Sequence, residues 1–302
     1  MFFKNLSFFR YPASTNAALE QLEERLAEHP LKPVGPLELS SRGFVSPFGR
    51  DEPALVHRVG DCAWLTLGRE DRLLPGAVVN EALAKKLAEI EAKEGRRLGG
   101  KARRQLKEDL VHEMLPKAFV KGSRLSASID ARHGMIAIDA ASKKSAEAFV
   151  SELRHALGSF PAVPVNAEVS VRALMTGWLT GEPLPEGLAL GDECELKDPV
   201  DGGAVVKAQR QELTAEEMVK HLEGGKQVTR LALVLDEQVS FVLGEDLVLR
   251  KFRLLDGAVE TLENTERDSL AAELDARYAL FSAEVHRVFG VLEKALKLSR
   301  VD

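Results

Sequence analysis

The sequence predicts an α+β protein in which antiparallel sheets pack with helices and a basic helical hairpin projects from them. Three observations carry this. Short extended segments separated by Gly and Pro recur in the manner of antiparallel sheets. Two apolar stripes at helical spacing lie back to back within residues 76–122. That stretch also carries a charge opposite in sign to the rest of the chain. The organisation read from these features is a central α+β domain (1–75 and 123–165), the hairpin (76–122) and a C-terminal α+β domain (166–302).

In chain order, the apolar opening Met1–Phe9 reads as a buried strand, since no basic leader precedes it and no small-residue cleavage site follows. Ser14 or Thr15 is placed to cap a helix from about Asn16 to Glu28, with Leu19, Leu22 and Leu26 on one face and His29-Pro30 ending it. Extended pieces follow at Gly43–Val45, Ala54–Val59 and Cys62–Leu67. In the hairpin, Val79, Leu83, Leu87 and Ile90 form the stripe of the first helix, and Ala102, Leu106, Leu110 and Met114 that of the second. Gly99-Gly100 favours reversal between them, because glycine costs a helix interior about 1 kcal/mol against alanine. A helix of about fifteen residues is roughly 22 Å long at ~1.5 Å rise per residue.

Beyond the hairpin, Arg124–Asp130 and Met135–Asp139 read as strands joined at Arg132-His133-Gly134. Ser142 caps a helix to Leu157, and a short helix covers Leu174–Leu179. The Gly181–Gly187 stretch, rich in Pro and Gly, marks the boundary. The second half then gives a strand at Ala204–Arg210 and a helix opened by a Thr214/Glu217 capping box and closed by Gly224-Gly225. Strands follow at Val228–Leu235, Val239–Leu243 and Leu247–Leu254, and a long helix runs from about Arg267 to Lys297.

The 302 residues, 45% apolar and 29% charged, suit a soluble protein with a sizeable core. No run reaches the ~18 apolar residues of a membrane span. The two cysteines stand far apart outside any CxxC pair, which favours neither a disulfide framework nor a zinc site. A cytoplasmic protein is expected.

Residues 85–124 hold twelve Lys and Arg against six acids. The chain as a whole has 41 bases and 47 acids, so the remainder has 29 against 41. A segment at +6 inside a chain at −6 argues for an anionic partner at that arm. Arg96, Arg97, Lys101, Arg103 and Arg104 crowd its turn, and Lys117 and Lys121 its foot. Phosphate neutralised by such side chains is bound without reading of sequence. The segment has one aromatic, Phe119, which favours a duplex backbone over stacked single strands.

Fragments that resemble catalytic signatures lack the mechanics. His112-Glu113 has no second histidine one turn on, Gly99-Gly100-Lys101 and Gly224-Gly225-Lys226 lack the hydroxyl and upstream glycine of a phosphate loop, and no G-x-S-x-G elbow occurs. The seven histidines form no ligand pair at helical spacing. No catalytic residues, metal or cofactor are therefore expected, and the protein reads as a binder and not an enzyme. Two rivals stand beside this: a metal-dependent DNA-processing enzyme using Asp236 and Glu237, and a scaffold gripping an acidic partner.

A set of short segments runs along nearly the whole chain: Phe3-Lys4-Asn5-Leu6, Leu74-Pro75, Leu115-Pro116-Lys117-Ala118-Phe119, Ala141-Ser142-Lys143-Lys144-Ser145-Ala146-Glu147, Leu157-Gly158-Ser159, Asp201-Gly202-Gly203 and Lys207–Thr214. In number and order these resemble the bacterial RdgC family of recombination-associated proteins. The resemblance implies horseshoe-shaped subunits closed into a ring homodimer, with double-stranded DNA passing through a positively lined hole and single-stranded DNA bound more weakly. It also implies a nucleoid-associated role in recombination and replication-fork repair, and restraint of RecA-driven strand exchange. The family's gate phenylalanine falls on Phe119, and its basic and polar partners on Arg96, Lys117, Arg210, Gln211 and Lys226. Composition alone would bury Phe119 in the hairpin base.

Overall fold

The computed structural model describes residues 3–49, 52–95, 97–200, 203–263 and 270–300. It is an α+β structure with two antiparallel sheets, of seven and five strands, and several helices. The strands are β1 (Ser7–Arg10), β2 (Ser40–Val45), β3 (Val56–Val59), β4 (Cys62–Leu73), β5 (Phe119–Asp130), β6 (Met135–Ile138), β7 (Val163–Pro164), β8 (Leu188–Lys197), β9 (Val205–Gln209), β10 (Gln227–Leu235), β11 (Val239–Gly244) and β12 (Leu249–Leu254). The helices are α1 (Asn16–Glu20), α2 (Leu22–Ala27), α3 (Gly76–Glu94), α4 (Gly100–Met114), α5 (Lys143–Leu157), α6 (Val171–Leu179), α7 (Glu216–Glu223), α8 (Asp256–Glu263) and α9 (Leu270–Leu296).

The chain divides into two compact units. The first comprises Met1–Arg25, Val56–Leu65 and Leu125–Asp302. In it β1 lies between β6 and β7, β5 pairs with β6 through residues 127–130, and β3 pairs with the start of β4. The five-stranded sheet has the order β12-β11-β10-β8-β9. Its inward residues Leu231, Leu233, Val239 and Leu243 share one core with Met175 of α6 and with Tyr278, Phe281, Val285 and Phe289 of α9. That core takes up the wide stripe of α9, as an amphipathic surface of that width requires. The Tyr278 hydroxyl shares a 2.6 Å hydrogen bond with Ser128 of β5, satisfying both buried groups.

The second unit comprises Leu26–Leu55 and Thr66–Arg124. Here β2 pairs with the outer part of β4 in register Ser40↔Asp71 to Val45↔Thr66. Helices α3 and α4 pack on each other. Val79, Leu83 and Leu110 are buried, Leu87, Ile90, Leu106 and Met114 half-buried, and Ala102 exposed. Burial thus fades toward the turn, because a pair of helices can cover only one strip of each.

Several elements differ from expectation for local reasons. The helix expected over 16–28 is interrupted at Gln21, and neither Ser14 nor Thr15 caps it through a side chain. Strand β5 begins at Phe119, five residues before the expected start. Thr214 does not form a capping box: α7 starts after Ala215 without a side-chain cap, and the Thr214 hydroxyl donates to Glu212 at 2.9 Å. Strand β8 and helix α8 were not expected at all. Residues Met1 and Phe2 of the opening strand, and Arg267 at the start of the last helix, lie outside the described residues. By contrast α5 is capped by Ser142, whose hydroxyl accepts from the Ser145 N–H at 3.2 Å. Among the described residues, no helix is long and apolar enough to cross a membrane.

Candidate nucleic-acid interface

The hairpin is built by punctuation at both ends. Pro75 precedes α3, where its missing N–H costs no helical bond. Gly95 closes α3 in the left-handed region (φ 67°), its N–H donating to the Glu91 carbonyl at 2.9 Å. Gly99 is the N-cap of α4 and offers no side-chain acceptor, so the first N–H groups of α4 have no side-chain cap.

The cations of this arm fall into two sets. Lys85, Lys86, Arg97, Arg104 and Lys117 each pair with a glutamate of the same arm, at 2.9, 3.5, 2.8, 3.4 and 3.8 Å. Among the described residues no acid stands within 4 Å of Lys93, Lys101, Arg103, Lys107, Lys121 or Arg124, and all six are exposed. Arg96 lies outside the described residues.

Lys101 and Arg103 sit in the first turn of α4, where the helix dipole is already positive, and that turn contains no acid. Cations there oppose helix formation, whereas an anion there would be stabilised by dipole, bare N–H groups and side chains together. Lys101, Arg104 and Lys107 recur every three residues, so they share one side of the helix. The first turn of α4 thus carries a local electrostatic conflict that a bound anion would relieve.

Phe119 stands where α4 hands over to β5. It is 85% exposed, so it takes no part in the hairpin core that composition alone would assign it. The segment before it is held by one arginine. The Arg72 guanidinium of β4 donates to the carbonyls of Leu115, Pro116 and Ala118 at 3.2–3.4 Å and to Gly35 and Val34 at 3.0 and 3.4 Å. One side chain thereby ties the segment before Phe119 to a neighbouring loop. Sequence reading missed Arg72, since nothing local distinguishes it from a solvated strand arginine. Lys117 and Lys121 flank Phe119 and are exposed.

These arm residues belong to the second unit; Arg210, Gln211 and Lys226 belong to the first. Arg210 follows β9 and is exposed with φ 55°, a left-handed conformation that a side chain with a Cβ rarely adopts. Gln211 donates through Nε2 to Glu217 at 3.1 Å. Lys226 is half-buried, between Gly225 (φ 87°) and the start of β10. Arg210 also lines an open cleft with Lys4, Lys251 and Arg253, beside Asp192 and Glu193.

Of the acidic pair considered for a metal, Asp236 is otherwise engaged. Asp236 and Glu237 form the β10–β11 turn with φ 47° and 55°, and Asp236 pairs with Arg287 of α9. A different group gathers instead. Asp130, His133 and His286 bring their ligand atoms within 4.8 Å of one another. Asp130 and His133 are three residues apart across a turn, a spacing visible in the sequence, but His286 comes from α9 and no local pattern announces it.

Residues 1–299 match a family model described as "RdgC: Putative exonuclease, RdgC". The chain is 62% identical over 303 residues to the recombination-associated protein RdgC of Xanthomonas campestris pv. campestris (strain B100), covering 100% of both chains. It is 61% identical to that of Xanthomonas oryzae pv. oryzae (strain MAFF 311018) and 56% to that of Stenotrophomonas maltophilia (strain R551-3), again covering 100% of each chain.

Proposed function

The chain belongs to the RdgC family, and from that premise we propose that it is a recombination-associated protein that binds double-stranded DNA without reading sequence and closes around it as a homodimer. The observation that carries the binding is the first turn of α4, where Lys101 and Arg103 have no acid partner among the described residues and stand beside N–H groups without a side-chain cap. Those groups suit backbone phosphate, whose neutralisation by Lys and Arg carries no sequence information. The contrast in sign between arm and remainder supports encirclement: repulsion from the acidic majority keeps the duplex against the arm. An 85% exposed phenylalanine on a braced segment supports an anchor that fills a partner's pocket. Arg210, Gln211 and Lys226 are proposed to contribute at the second contact between subunits and DNA.

In this reading the protein covers DNA in the nucleoid, binds single strands more weakly, and restrains RecA by occupying its substrate in recombination and fork repair. Binding of random-sequence duplex, measured by fluorescence anisotropy across a salt series, tests it. A steep fall of affinity with salt is expected, and salt-independent or absent binding would overturn the proposal. The family description names an exonuclease, so the same preparation incubated with end-labelled duplex and Mg²⁺ or Mn²⁺ decides between covering and cutting. Intact DNA is the expected result.

A further inference from the structure

The turn from β5 to β6 is held more firmly than a hairpin turn requires. The Tyr11 N–H donates to the Gly134 carbonyl at 2.9 Å and its hydroxyl to the Asp130 carbonyl at 3.1 Å. The Asn16 amide donates to the Ala131 carbonyl and the Ala131 N–H to the Asp61 carbonyl, each at 3.0 Å. Gly134 has φ 58°, and a Cβ there would stand 2.6 Å from the Tyr11 oxygen, so the turn is shaped for this one seat.

Two side chains of the turn face α9. Asp130 is buried, and its Oδ2 lies 2.7 Å from Nδ1 of His133, while Oδ1 accepts the His133 N–H at 3.1 Å. No lysine or arginine pairs with this carboxylate among the described residues; its ionic partners are His133 and, at 4.0 Å, Nδ1 of His286. The His286 ring stacks on that of His133, with centroids 3.7 Å apart and planes at 26°. Its Nδ1 is shielded from solvent and has no hydrogen-bond partner. Val285, Val288 and Phe289 are buried on either side of it in α9 and fix where His286 stands. Arg132 on the turn and Glu293 on α9 are the other charged groups acting on His286.

A buried carboxylate with no lysine or arginine partner among the described residues, an orphaned imidazole nitrogen and a second imidazole beside both form a donor set suited to a cation. We propose that Asp130, His133 and His286 bind one divalent transition-metal ion. Two imidazoles and one carboxylate select zinc-like ions over magnesium or calcium, which prefer all-oxygen shells. Ligand atoms around a four-coordinate ion with bonds of about 2.0–2.1 Å lie roughly 3.3 Å apart. The 2.7 and 4.0 Å separations straddle that spacing and all three ligand atoms lie within 4.8 Å of one another, so binding requires the half-exposed rings to turn out of their stacked arrangement. On binding, the ion takes the place of the His133–Asp130 side-chain hydrogen bond, and a neutral His133 ring that ligates through Nδ1 carries its proton on Nε2. Three protein ligands leave a fourth position for water.

The test uses the full-length protein freed of metal by chelation and gel filtration, titrated with ZnCl₂ by calorimetry and with CoCl₂ by visible absorption. One saturable equivalent is expected, with ligand-field bands of a low-coordinate cobalt site. His286→Gln and His133→Gln should each weaken zinc binding at least tenfold, while His112→Gln should leave it unchanged. Absence of a saturable equivalent, or equal binding in all three variants, overturns the proposal. Should either ligand variant lose its fold by circular dichroism, the wild type decides: Zn²⁺ must raise its melting temperature where Mg²⁺ does not, and the cobalt bands must appear. Failure of both refutes the site.

Discussion

Replacing Lys101, Arg103 and Lys107 together by glutamine isolates the electrostatic claim. Among the described residues these three cations have no acid within 4 Å, so each can neutralise a phosphate without first breaking an ion pair. Each phosphate neutralised on duplex DNA contributes about 0.9 to the slope of log affinity against log salt, so three contacts account for about 2.7. Over a fourfold rise in salt, a slope smaller by that amount makes the loss of affinity roughly 40-fold less than in the parent protein. Glutamine has helix propensity close to that of lysine and arginine, and removing positive charge from the first turn relieves a clash with the helix dipole. The variant should therefore bind DNA far less salt-dependently while melting no lower than the parent. Anisotropy with random-sequence duplex at several salt concentrations, paired with circular dichroism melting, reads both. An unchanged salt slope would refute the assignment of phosphate contacts to α4, and a large drop in melting temperature would refute the claim that these cations oppose the fold.

Phe119→Ser should leave folding intact, because the side chain buries almost nothing in the subunit, but should shorten dimer lifetime and retention on closed circular DNA; unchanged retention on circles removes Phe119 from the gate. Arg72→Leu should loosen the segment before Phe119 and accelerate proteolysis around 115–119, since five carbonyls lose their shared donor, and an unaltered cleavage pattern would count against that brace. The Cys62 and Cys194 thiols are both pushed up to about 11, chiefly by burial, so alkylation of the native protein should be slow at neutral pH and rise with alkali, whereas the unfolded chain reacts quickly. Burial works against ionisation of Asp246, yet Arg250, bonded to both its oxygens at 2.9 and 2.6 Å, holds its carboxyl below the usual range. Its contribution to stability is present above the carboxyl range of the unfolded chain and is lost as pH falls through the native value, so Arg250→Met should flatten the acid limb of a stability–pH curve.

Periodicity made much of this fold legible. The stripes of α3, α4, α5 and α9, and the strands β10, β11 and β12, declare themselves because one face of each meets a core and the other meets water. Strand β8 is harder to read: Gly191, Asp192 and Glu193 interrupt its alternation, and its pairing with β10 shifts register around Leu231/Leu233. The Thr214/Glu217 pattern fits a capping box in letters alone; in the fold Thr214 bonds Glu212, and the helix begins one turn-residue later. The charge of the arm was visible, but which cations are free depends on where glutamates fall on the helix surface. Phe119 shows the limit most clearly. Composition buries it, family resemblance exposes it, and in the fold it stands in solvent. The Asp130, His133 and His286 group was invisible because its third member lies far along the chain, brought near by α9.

The fading burial along α3 and α4 has a mechanical corollary. Anchored at Val79, Leu83 and Leu110 and sheathed ever more thinly toward Gly95–Gly99, the arm resembles a cantilever that stiffens at its root and yields at its end. Amide exchange should accordingly quicken outward from those three side chains, and a compliant end can follow the undulating ridge of a polyanion while the root keeps its bearing.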